Sequence, residues 1–301
     1  MDIREKYSAE KEDVIRAAEM AGMKFIEHED QEGFDNAFAN GDAVYGEECV
    51  KSLLSEVVET ALSAEIDGFA RYASDNKRLI RNTALQFPEV TEALILCYKI
   101  GIARGSASCM NDLGALYYMG DLVEQDYVKA AELYEMAADA GCYQSIVNLG
   151  YIYEYGRIGE PDHAKAYQWY SLAAALAPSS EAVYKLGDMF SRGKAVPRDM
   201  NKAHRLYERS LELAHGAVEC AQPAIRIARM LIDPKSPSYG VKPDPLRALA
   251  LFQQAEIGLR IDIADGQVYY AKRLQEAIEG QGEARALLET KERDTLDGYQ
   301  N

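Results

Sequence analysis

Five residue positions recur together along this chain at intervals of 36 and then 37 residues: Gly114, Gly150 and Gly187; Gly120, Gly156 and Gly193; Asp126, Asp162 and Asp199; Ala130, Ala166 and Ala203; Tyr134, Tyr170 and Tyr207. Five columns in step define a structural repeat. A period of this size with two helix-like halves is the mark of a solenoid, whose units cannot bury their apolar faces alone and must stack on their neighbours. The predicted fold class is therefore all-α, a right-handed superhelical solenoid of helix-turn-helix repeats, and its expected product is an extended surface for a partner.

Within one unit, each column has a physical role. Leu113, Leu116 and Tyr117 share a helical face, which defines helix A, with Gly114 among them. A helix-interior glycine costs roughly 1 kcal/mol relative to alanine, so its recurrence predicts close approach of a neighbouring helix. Gly120, Gly156 and Gly193 fall where helix A should end in a left-handed residue. Asp126, Asp162 and Asp199 then precede helix B, where a carboxylate can accept free backbone N–H groups at the positive end of the helix dipole. Helix B carries Ala130, Leu133, Tyr134, Ala137 and Ala138 on one face, repeated as Ala166, Trp169, Tyr170, Ala173 and Ala174.

These motifs resemble the Sel-one-like repeat, a relative of the tetratricopeptide repeat. The likeness rests on Asp112-Leu113-Gly114-Ala115-Leu116-Tyr117 with Lys129-Ala130, on Asn148 to Tyr153 with Lys165-Ala166, and on Lys185 to Phe190 with Lys202-Ala203. It departs from the family where Leu122, Ile158 and Ala195 replace a second loop glycine, which leaves the loop conformation open. A stretched fourth unit follows, with Ile227 to Leu231 as helix A, an insertion at 234–238, and Ala248 and Phe252 in register. A fifth helix A is expected at 268–277, and Glu283 to Glu289 would close the stack. Glu89 to Arg104 reads as a helix B whose helix A lies near 76–86. The expected organisation is an acidic helical cap over 1–75, a degenerate repeat over 76–106, the solenoid over 107–290, and a polar tail over 291–301.

The net charge of -16 sits mainly at one end: residues 1–75 hold 19 acidic and 7 basic side chains, against 30 and 26 in the rest. Such a field repels phosphate, so neither nucleic acid nor a membrane surface is an expected partner. No apolar run reaches membrane-spanning length and the first residues do not form a secretory signal, which predicts a cytoplasmic protein. Five cysteines form no C-x-x-C pair, and His28, His163, His204 and His215 are scattered, so no metal, cofactor or catalytic residue is expected.

The resemblance implies that helix A lines a concave groove. It places Asn111 and Tyr118, then Gln144, Tyr151 and Tyr155, then Tyr184, Asp188 and Arg192 there as the partner-binding set, while Tyr117, Tyr153 and Phe190 fall on the packing face. Exposed Tyr and Arg suit recognition, since they bury much area at low entropic cost. The expected function is a non-catalytic adaptor for a protein or peptide, in a family linked to bacterial signalling and complex assembly. Two alternatives stand beside it: a β-lactam-binding or hydrolysing enzyme, as proposed for cysteine-rich members of the family, and self-association through the helix expected at 47–72.

Overall fold

The computed structural model describes residues 81, 84–85, 88–264 and 267–299. The cap expected over 1–75, its helix at 47–72 and most of the helix near 76–86 lie outside the described residues. Among those described there are ten α-helices and no strand: α1 (Pro88–Ala103), α2 (Ala107–Met119), α3 (Tyr127–Asp139), α4 (Tyr143–Glu154), α5 (His163–Leu176), α6 (Ser180–Arg192), α7 (Met200–Leu213), α8 (Gly216–Ile232), α9 (Pro245–Ala264) and α10 (Ala271–Tyr299). The all-α repeat fold is therefore as the periodicity predicts. The chain forms two compact units, residues 1–149 and 150–301, with the division inside α4.

In the first unit, α1 takes the place expected of a helix B and buries Leu94, Cys97, Tyr98 and Ile100. The hairpin α2–α3 is the first full repeat. Gly114 is required by the ring of Tyr134: a Cβ there would lie 2.9 Å from Cε1. In the second unit Gly150 meets Tyr170 and Gly187 meets Tyr207 in the same way, at 2.3 and 2.5 Å. The recurrent glycine and the recurrent tyrosine are thus two halves of one contact, always twenty residues apart.

The connecting loop is pinned by the aspartate column at both ends. Asp126 accepts from the N–H groups of Val128 and Lys129, Asp162 from Lys165, Asp199 from Lys202 and Asp244 from Arg247, at 2.8 to 3.1 Å. Each of these aspartates also donates its own N–H back to helix A, to the carbonyls of Tyr117, Tyr153, Phe190 and Leu231 respectively. The fourth repeat therefore keeps the hinge although its loop carries the 3-10 turn Ser236–Tyr239. Gly120, Gly156 and Gly193 are left-handed, with φ of 69°, 60° and 66°. Of the three residues in place of the second glycine, Ala195 alone adopts the left-handed backbone, at φ 62°.

Two details of the second unit follow from single residues. Pro223 sits inside α8 without an N–H to offer the carbonyl of Glu219, and the hydroxyl of Ser180 donates to that carbonyl from α6 at 3.3 Å. After α9, the 3-10 turn Val268–Tyr270 leads into α10, which runs unbroken through the stretch read in sequence as a helix, a gap and a separate ending. Gly280 inside this helix serves packing: a Cβ there would meet the Phe252 ring at 2.4 Å. The helix also continues through the expected polar tail as far as Tyr299.

Candidate functional site

The A-type helices are α2, α4, α6 and α8, and one position on them carries the contacts between successive repeats. It lies five residues before the carbonyl that receives the aspartate N–H, and it is Asn148, Lys185 and Arg226 in turn. Each side chain reaches back to the preceding A helix. Asn148 donates to Asn111 Oδ1 at 3.0 Å in the first unit, while in the second Lys185 meets Glu154 at 2.6 Å and Arg226 meets Asp188 at 2.6 Å.

In the first unit this contact is neutral. Asn111 Oδ1 also accepts from Ser145 at 2.9 Å, its amide donates to Asp112, and Gln144 donates to Asn148 at 3.4 Å. Tyr118 packs edge-on against Tyr127 with centroids 5.3 Å apart. Gln144 is exposed, whereas Asn111 and Tyr118 are half-buried.

In the second unit the same positions build a buried ionic cluster. The Lys185 ammonium lies over the rings of Tyr151, Tyr155 and Tyr170, at 4.3, 5.2 and 5.3 Å, and Tyr170 donates its hydroxyl to Glu154 Oε2 at 2.9 Å. Asp188 receives the Arg226 guanidinium through two parallel bonds, at 2.6 and 2.7 Å, and accepts from the Tyr207 hydroxyl at 2.9 Å. Burial alone would raise the Asp188 carboxyl, but the Arg226, Arg192 and Lys185 charges prevail and hold it at about 2. Arg226 stacks over Tyr184 at 4.6 Å. Tyr151 donates to Glu181 at 2.7 Å, lies 3.1 Å from the Tyr184 hydroxyl, and stacks nearly parallel to Tyr155. Desolvation lifts the Tyr151, Tyr170 and Tyr184 phenols far above their ordinary range, so these rings stay neutral hydrogen-bonding groups.

Of the residues chosen from sequence in the second unit, Tyr155 and Arg192 reach solvent, at 48% for the whole residue and 42% for the side chain. Tyr184 and Asp188 do not: they are 7% and 3% exposed and are engaged in the internal pairs, because the basic residue of the next repeat needs a counter-charge beneath it. The packing-face aromatics are each covered by the lysine of helix B, Tyr117 by Lys129, Tyr153 by Lys165 and Phe190 by Lys202, at 5.2, 4.8 and 4.0 Å. In the fourth repeat Leu231 replaces the aromatic, and Arg247 in the lysine position turns to Glu208 instead. Sequence reasoning missed Arg226. Its signal was the shared position with Lys185, hidden by the extra residues in the α7–α8 segment.

Cys97, Cys109, Cys142 and Cys220 carry free thiols, and burial raises that of Cys97. Among the described residues no cluster of His, Cys, Asp or Glu has the makings of a metal site, and no helix is long and apolar enough to cross a membrane.

The sequence matches the Sel1 repeat family model over residues 107–142, 144–178, 180–215 and 236–256. No curated protein matches the chain. Among solved structures it is similar to a Sel1 repeat protein from Oxalobacter formigenes, at TM-score 0.49 and 21% identity over 71% of this chain and 86% of that one. It is also similar to c5321, a protective antigen of uropathogenic Escherichia coli with an SLR fold, at TM-score 0.49 and 21% identity over 84% of this chain and 53% of that one, so it spans about half of c5321. The immunity protein Pa5087 from Pseudomonas aeruginosa is more distant, at TM-score 0.38 and 18% identity over 68% and 84%. The four matched stretches are Sel1 repeats.

Proposed function

We propose that the chain is a non-catalytic scaffold that holds a protein or peptide partner against the face of α4 and α6 that carries Tyr155 and Arg192. The observation behind this reading is the presentation of Tyr155. The residue is 48% exposed, yet its ring is stacked on Tyr151 and shares the buried Lys185 ammonium, so contact area is offered with little left to order on binding. Arg192, at the end of α6, pairs with Asp188 and with Glu154, the residue before Tyr155, and is open to solvent. The ionic residues beneath are committed to one another, which suits a supporting layer better than acid-base chemistry. A cytoplasmic setting goes with this reading, since free thiols persist where the glutathione pool keeps them reduced.

Affinity capture from the native cell tests the assignment. Wild type is compared with a Tyr155→Ala, Arg192→Ala double variant of matching circular dichroism. The variant is expected to lose at least one protein that wild type recovers; identical recoveries would remove this face as the binding site.

A further inference from the structure

The charges on the α4–α6 face also constrain what a partner must offer it. Glu154 and Asp188 are 1% and 5% exposed at the side chain, and each already has its own cation at 2.6 Å, Lys185 and Arg226 respectively. Arg192 adjoins both carboxylates at longer range, 3.7 Å from Glu154 and 3.4 Å from Asp188. It is therefore a third cation against two carboxylates, the one nearest the Glu154 Oε1 that no hydrogen bond reaches, and it is the exposed one. Glu181 does not offset it, because it accepts from Tyr151 at the opposite end of α6, eleven residues or about 16 Å along the helix. The Arg157 guanidinium also lies 5.5 Å from the centre of the Tyr155 ring.

We infer that the partner segment presents an Asp or Glu side chain to Arg192 while its apolar part lies on Tyr155. The inference rests on the proposed use of this face, and it names the chemistry of the partner. Arg192 lacks a close bidentate acceptor here, and the fork of a guanidinium is completed by a carboxylate. The tyrosine beside it supplies area that a charge alone does not. A chain of net charge -16 repels acidic segments at long range, so an acidic preference would have to come from a local excess of positive charge such as this one.

The test uses the full chain and a random library of short displayed peptides, with hits resynthesised as C-terminal amides so that no terminal carboxylate remains. Fluorescence anisotropy then compares each hit with its counterpart in which Asp and Glu become Asn and Gln. The acidic form is expected to bind about tenfold more tightly, with a difference that shrinks as salt rises. Panning on Arg192→Glu is expected to exchange the acidic preference for Lys and Arg, a reversal that loss of folding cannot produce. Acidic and amide forms of equal affinity, or an unchanged acidic preference with Arg192→Glu, would overturn the inference. If hits still weaken with Tyr155→Ala in that case, the face binds partners through other chemistry; if no hit depends on Tyr155 or Arg192, the assignment of the face falls as well.

Discussion

The same position of the repeat is neutral in one unit and ionic in the other. Asn148 reaches Asn111 through an amide hydrogen bond in residues 1–149, whereas Lys185 and Arg226 reach Glu154 and Asp188 as buried ion pairs in residues 150–301. The backbone frame is shared, including the aspartate hinge and the glycine–tyrosine contact. The repeat therefore fixes which positions touch, while side-chain identity sets how strongly they depend on one another and on pH. A neutral hydrogen bond contributes about 1 kcal/mol net, but removing one partner of a buried ion pair strands the other charge. The ionic unit also pins its tyrosines under cations, a rigid support of the kind an exposed binding residue needs.

That contrast can be broken first at Lys185. Lys185→Ala leaves Glu154 buried without its close cation and is expected to cost about 3–5 kcal/mol, whereas Asn148→Ala at the corresponding position costs about 1. Urea denaturation followed by circular dichroism measures both, and equal losses would erase the distinction. The next effect is a dependence on acid that Asp188 brings to the ionic unit. Asp188 titrates at about 2 when folded, against 3.8 for an ordinary aspartate. A depressed pKa stabilises the fold above the unfolded value, so about 2 kcal/mol should be lost as pH falls from roughly 4 to 2. Asp188→Asn should shrink the loss over that range, leaving the part due to Glu208, which His204 and Arg247 hold at about 2 as well, and an unchanged profile would show that the stabilisation comes from elsewhere.

The glycine contact sharpens the comparison because its geometry differs in degree. A Cβ at Gly150 would lie 2.3 Å from the Tyr170 ring, against 2.9 Å at Gly114. Gly150→Ala should therefore cost about 1–3 kcal/mol of overpacking, and Gly114→Ala less, since the gain of roughly 1 kcal/mol in helix propensity offsets more of it. Paired thermal melts give the order. The smallest effect lies in the loops: Ala195 holds a left-handed backbone that glycine adopts freely, so Ala195→Gly should raise stability by about 1 kcal/mol. The same change at Leu122 or Ile158, where φ is not left-handed, should give no gain.

Sequence made the hinge and the packing face legible because both are local. An aspartate at a helix start and a glycine facing a ring twenty residues on act within one hairpin, and their spacing cannot vary. The contacts between A helices were harder to read. Their partners come from different repeats, and Arg226 lies beyond a segment of altered length, so the position it shares with Lys185 is out of step in sequence. This is also why Tyr184 and Asp188 looked like surface residues. The helical face on which they stand is what the family resemblance implies, but the guanidinium that covers them belongs to α8. Gly280 inside α10 likewise shows its role only once the Phe252 ring is placed against it.

Site-specific photo-crosslinking in the native cell tests the central claim most directly. A photoreactive phenylalanine analogue at Tyr155 is compared with the same analogue at Leu172 on α5 and Met136 on α3, which are 41% and 47% exposed and lie on B-type helices. A defined adduct from position 155, lost when Arg192→Glu is combined with it and absent from 172 and 136, is the predicted result. Adducts at 172 or 136 with none at 155 would contradict the assignment of the α4–α6 face as the partner surface.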